Sequence, residues 1–190
     1  MSARPPRRPW ARAEGVSLHE LDAVPEAPAL RRALADGVAR GYDGPLPELP
    51  SSAALLLVRA EGADVGLLAV ALGPGEAAAT LLAVAVAHEA RGRSLGLRAV
   101  LAAERRLARD GVDELYASVP RGNGRGVYFW LRAGYRPLSA PPAGSAACAG
   151  DGLAPAREQA GGAHGATEPG CGWFYRPLQR RRARSRRSRR

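Results

Sequence analysis

Between an apolar run over residues 79–87 and a helical pattern that follows it lies the stretch His88-Glu89-Ala90-Arg91-Gly92-Arg93-Ser94-Leu95-Gly96. Its chemistry follows from the main chain. The first N–H groups of a helix have no intrahelical partner and the macrodipole is positive there, so an anion is stabilised at that end. Gly92 and Gly96 let the backbone approach a phosphate closely, and Arg91 and Arg93 offer guanidinium forks that match its oxygens. The spacing predicts a pyrophosphate cradle, although a plain strand-to-helix turn has the same composition. His88, whose imidazole is suited to relaying a proton near neutral pH, and Glu89 are the candidates for a general base. A histidine packed at a strand end and a solvated turn glutamate are the structural alternatives.

A second constellation begins at Asn123, the only asparagine in the chain: Asn123-Gly124-Arg125-Gly126-Val127-Tyr128-Phe129-Trp130-Leu131-Arg132-Ala133-Gly134-Tyr135. Its aromatic cluster is expected to fill the core with some rings and line a cleft with another. Between the two constellations, Tyr116 and Ser118 alternate along an expected strand, placed either to bind water and substrate or to pack across strands.

The elements that must position these groups are read from periodicity. Strands are expected over residues 16–21, 53–59, 65–72, 79–87, 114–119, 135–138 and 173–178, with a hairpin turning at residues 61–64. Helices are expected over residues 25–42, 97–108 (apolar face Leu97, Val100, Leu101, Leu107 and Ala108, stopped by Gly111) and 123–133. The strand-helix-strand-helix-strand run predicts an α/β fold with a mixed, partly parallel central sheet covered by helices. Residues 139–170 are rich in Ala, Gly and Pro and read as a flexible loop inside a domain spanning 16–178.

All 28 basic residues are arginine, and the formal net charge is +10. Twelve of those arginines sit in residues 1–12 and 180–190, leaving 16 against 18 acidic residues in between. The folded part is therefore near neutral. Residues 1–15 read as a basic flexible arm, and residues 179–190 as a disordered tail that attracts phosphate polymers weakly and without a shaped site, or is simply solvated. Cys148 and Cys171 lack metal-ligand spacing and the three histidines are scattered, so no metal is expected. No apolar run approaches the ~20 residues of a bilayer span, and no secretory pattern follows the basic arm, so the cytoplasm is the expected location.

From residue 16 to 178 the chain resembles the GCN5-related N-acetyltransferase (GNAT) family. Arg91-Gly92-Arg93-Ser94-Leu95-Gly96 is similar to the family's Arg/Gln-x-x-Gly-x-Gly/Ala acyl-coenzyme A signature, and Asn123 to Tyr135 resembles its second motif, Asn-x-x-Ala-x-x-Phe-Tyr-x-x-x-Gly-Phe. The resemblance implies acetyl-coenzyme A, or another acyl-coenzyme A, as donor and direct attack by an amine of a small molecule or protein. The diphosphate would rest on residues 91–96, with Asn123 also at the cofactor. The pantetheine arm would lie where two central strands splay, and a backbone amide near Val86 would polarise the thioester. Two positions depart from the family pattern. Ser94 replaces a glycine, its hydroxyl free either to cap the helix or to reach a phosphate oxygen. Trp130 stands where a tyrosine often protonates the leaving thiolate, and an indole N–H is no useful acid. Tyr128 is the nearby phenol, two residues away and so on a different helix face. An amine acceptor, loosely held nucleic acid and a second copy of the chain are the partners considered, and a membrane is not. The rival readings are an acyl-coenzyme A sensing module without turnover and a nucleic-acid-associated protein in which the arginine-rich tail is primary.

Overall fold

In the computed structural model, which describes residues 8–21, 53–73, 77–120, 123–142 and 171–178, eight strands form one sheet accompanied by two α-helices. In chain order these are β1 (Ala11–Ala13), β2 (Val16–Leu21), β3 (Ala54–Ala60), β4 (Ala63–Leu72), β5 (Ala78–Val86), a 3-10 turn at His88–Ala90, α1 (Leu95–Arg109), β6 (Glu114–Pro120), α2 (Gly124–Arg132), β7 (Arg136–Leu138) and β8 (Cys171–Pro177). The sheet order is β1-β2-β3-β4-β5-β6-β8-β7. Every neighbouring pair is antiparallel except β5 and β6, which α1 connects as a parallel crossover. The α/β class and the mixed sheet agree with the sequence reading, with antiparallel pairs in the majority. The expected helix over 25–42, most of the 139–170 loop, Cys148 and the tail lie outside the described residues.

Two Glu-Gly pairs turn the first hairpins. Glu14 and Gly15, and then Glu61 and Gly62, all have positive φ, between 47° and 81°. That is the combination a two-residue hairpin needs to match the twist of its strands. The first of these turns corrects the sequence reading, which placed residues 11–13 in a flexible arm. Ala11 and Ala13 are instead buried in a strand on β2. Arg106 of α1 holds this edge by donating to the Trp10 carbonyl at 2.8 Å and lying 5.4 Å over the indole centroid. A three-residue strand has too few alternations to be read, and its anchor comes from far along the chain.

α1 covers one sheet face above a core that includes Leu18, Leu56, Leu68, Leu81 and Leu115. Its buried stripe is Leu95, Ala99, Val100, Ala102, Ala103 and Leu107. Leu97, Leu101 and Ala108, expected at the centre of that face, are only half-buried. Alanine methyls let the helix come close to the sheet, and the longer leucines flank the contact. Both helices stop in the same way. Gly111 (φ 100°) and Gly134 (φ 85°) adopt left-handed conformations. Val112 N–H then bonds the Leu107 carbonyl, and Tyr135 N–H the Trp130 carbonyl, each at 3.0 Å. These are Schellman closures with a buried apolar residue just past the glycine.

One irregularity shapes the site. β5 pairs with β6 only from Ala78↔Glu114 to Leu81↔Ala117. On its other edge Leu81 faces Val70 and Ala83 faces Ala69, so Leu82 is an extra residue without an opposite number. A β-bulge bends its strand and increases the local twist. Beyond Leu82, β5 stays with β4 while Ser118 to Pro120 of β6 stay with β8, and a wedge opens between the central strands.

Candidate active site

The wedge is the core of a cavity of about 500 Å³. One wall is the free edge of β5 from Leu82 to Val86, and the other is Ser118 to Pro120. The turn after β5 and the first residues of α1 form the mouth, and α2 closes the remaining side with Asn123, Arg125, Gly126, Phe129, Trp130 and Arg132.

The mouth is built as an anion site. Gly92 and Ser94 both have positive φ, 78° and 58°, which curls the chain ahead of α1. Ser94 occupies the N-cap position, yet its side chain makes no capping hydrogen bond. That corrects the capping alternative and leaves the N–H groups of the first helical turn without a side-chain acceptor, beside a cavity that Leu95, Gly96 and Leu97 help to line. Arg91 donates from Nε to the Val86 carbonyl at 3.0 Å, which fixes the guanidinium across the end of β5. Among the described residues the lining holds three arginines, Arg91, Arg125 and Arg132, and no acidic residue.

Asn123 positions α2. Its Oδ1 accepts from Gly126 N–H at 2.8 Å, capping the helix. Gly126 is required there, because a Cβ would stand 2.8 Å from a Val119 methyl and 2.9 Å from the Asn123 amide nitrogen. Close packing at this corner brings α2 against both β6 and the mouth, where Phe129 approaches Gly96.

The structure thus brings Val86, Arg91, Gly92, Ser94, Leu95, Gly96 and Asn123 of the expected set to one cavity. Arg93 stands apart: its guanidinium reaches the Glu61 carboxylate at the β3–β4 turn, at 2.7 and 2.8 Å, and holds that carboxyl below its ordinary pKa. His88 and Glu89 are exposed on the 3-10 turn outside the lining, and Tyr128 is 64% exposed on the outer side of α2. Trp130 is buried, edge-on to Phe129 (5.0 Å) and Tyr135 (4.8 Å), and contributes to the cavity wall.

Arg125 and Arg132 were not among the expected site residues. Their signal was present: 125, 129 and 132 follow the i, i+4, i+7 spacing of one helix face. Behind the cavity, Glu104 of α1 is buried and accepts from the Tyr135 hydroxyl at 3.0 Å, with Arg176 at 3.4 Å. Arg176 also donates to the Ala133 carbonyl. Burial outweighs these partners and raises the Glu104 carboxyl above its ordinary pKa, while burial followed by the Glu104 charge pushes the Tyr135 phenol up. Among the described residues no group of three or more His, Cys, Asp or Glu side chains could hold a metal ion, and no helix is long and apolar enough to cross a membrane.

The profile of the acetyltransferase (GNAT) family matches residues 25–135, more than half of the sequence. The chain belongs to the GNAT family. No curated protein matches it in sequence. Among solved structures, this GNAT chain is similar to a protein described as an acyl-CoA N-acyltransferase from Klebsiella pneumoniae, with TM-score 0.56, 19% identity, and coverage of 86% of this chain and 98% of that one. It is also similar to an acetyltransferase from Thermus thermophilus, with TM-score 0.54, 24% identity and coverage of 85% and 97%. A third is the PaiA N-acetyltransferase of Thermoplasma acidophilum in complex with coenzyme A, with TM-score 0.54, 15% identity and coverage of 68% and 94%. At these identities the likeness is one of fold.

Proposed function

We propose that this GNAT acetyltransferase binds acyl-coenzyme A in the wedge and transfers the acyl group to an amine by direct attack. One observation carries the reading. The first turn of α1 without a side-chain cap, three arginines with no acidic residue beside them among the described lining, and the edge of β5 beyond its pairing with β6 converge on one cavity. The donor supplies a thioester, whose acyl carbon is open to an uncharged amine.

The chain's own residues bind and orient. The amides of residues 92–96 and the Arg91 guanidinium hold the diphosphate, and Asn123 and Gly126 seat α2 so that the arm is enclosed. Main-chain N–H groups on the free edge between Leu82 and Val86 face the carbonyl oxygen as charge develops on it, and fixed donors in a dry cleft need no reorganisation. Alignment of amine and acyl carbon supplies much of the acceleration. His88 and Glu89 stand in solvent beyond the end of β5, so they serve as relays for the amine's proton rather than as contacts to the acyl group.

Acetyl-coenzyme A mixed with a broad panel of amines, with free thiol followed over time, tests the reading. Acceptor-dependent thiol release supports it; thiol release that no amine accelerates refutes it. The second reading, a sensor without turnover, is favoured by Trp130, since no phenol lines the cavity among the described residues. Thermal stabilisation by coenzyme A together with silence across the panel would select it.

A further inference from the structure

The two walls of the wedge hold different resources. β5 contributes main-chain edge, whereas β6 contributes a side chain at the apex: Ser118, the first residue past the last parallel pair, Leu81↔Ala117. Ser118 is 8% exposed and lines the cavity, and its hydroxyl has no hydrogen-bond partner among the described residues.

The aromatic donors of α2 are otherwise placed. Tyr128 points outward, and Trp130 is packed between Phe129 and Tyr135. Ser94, the other hydroxyl of the lining, stands at the mouth beside the anion turn. An arm anchored by phosphate at the mouth carries its reactive end toward the apex, where Ser118 waits.

We propose that the Ser118 hydroxyl donates a hydrogen bond to the sulfur of the donor thioester and to the thiolate it leaves. This rests on the acyl-coenzyme A reading of the cavity. In the transfer, the amine lone pair forms the C–N bond, the C–S bond breaks with its electron pair kept on sulfur, and the amine's proton passes to water. Ser118 keeps its own proton, since an aliphatic hydroxyl is a far weaker acid than a thiol of pKa ~8.5. Its contribution is a charge-assisted hydrogen bond, strongest when the sulfur is anionic.

The test reads the thiol directly, without turnover. Coenzyme A bound to the full-length chain is titrated while thiolate absorbance is followed, for wild type, Ser118→Ala and Ser118→Thr. The bound thiol is expected to ionise at lower pH than free coenzyme A. Ser118→Ala should raise its pKa by about one to two units, the size of one charge-assisted hydrogen bond, with the thermal midpoint unchanged and coenzyme A affinity unchanged at a pH where the bound thiol stays protonated, and Ser118→Thr should restore the wild-type value. An unshifted thiol in a well-bound Ser118→Ala complex overturns this inference alone. Failure of the wild type to bind coenzyme A overturns the cavity reading and this inference with it.

Discussion

Single side chains divide the two arginines of the glycine-rich turn into different jobs. Arg91 is tied to the Val86 carbonyl and lines the cavity, whereas Arg93 is committed to Glu61 across the surface. Arg91→Glu is therefore expected to weaken coenzyme A binding at least about tenfold, since it replaces a charge-assisted contact with repulsion. Arg93→Ala should change affinity much less, because only its main chain faces the turn. Calorimetric titration of both variants checks the contrast, and equal losses would contradict it. The position of the turn, between β5 and α1, was legible from the apolar run before it and the helical spacing after it; its role was not, since glycine and arginine are both common in this chain. The partner of Arg93 was not, because nothing local in a sequence shows that a hairpin tip 32 residues earlier swings beside it. The choice between the two roles open to the Ser94 hydroxyl was not legible for a related reason: the left-handed backbone that leaves the helix without a side-chain cap is set by the fold around it.

At the scale of elements, α2 is held by contacts that leave no spare room. Gly126→Ala forces a methyl into Val119 and into the Asn123 cap. Overpacking of this kind costs about 1–3 kcal/mol, and denaturant unfolding should show a loss in that range together with weaker coenzyme A binding. A second element-level effect concerns Glu104, which joins α1 to Tyr135 and Arg176. Its carboxyl is raised in the folded state above the ordinary 4.5, chiefly by burial. Between that value and the raised one, the native chain holds more protons than the unfolded chain. This group's contribution to stability therefore falls as pH rises through the window and then levels off. Glu104→Gln keeps an acceptor for Tyr135 without the charge. The midpoint of the variant minus that of wild type should climb with pH from about pH 4.5 upward and then flatten, and a constant difference would count against a raised carboxyl. The end of α1 was readable in advance, since Gly111 sits where a Schellman closure needs it. The phase of α1 was less so: counting large apolar residues points to Leu97 and Leu101, while close packing selects alanines.

For the whole molecule, charge is unevenly spread along the sequence. Most of the surplus arginine lies in residues 1–12 and 180–190, and the remainder is close to balance. Deleting residues 179–190 should leave acyl transfer and thermal midpoint unchanged while lowering the salt needed to elute the protein from a polyanion matrix, since retention scales with the cations engaged. Unaltered elution would place the polyanion contact on the folded body instead. The architecture as a whole, a crossover helix between parallel strands in an otherwise antiparallel sheet, was visible as an order of elements. The wedge was not, because it depends on Leu82, one apolar residue in a run of similar ones. Side chains alternate faces along a strand, so a chain shortened by that single residue would re-register everything on one side of it. Unbent, β5 could continue its ladder with β6 past Ser118, and two strands that now diverge would zip shut. The opening between these two strands is thus one amino acid longer than a closed sheet.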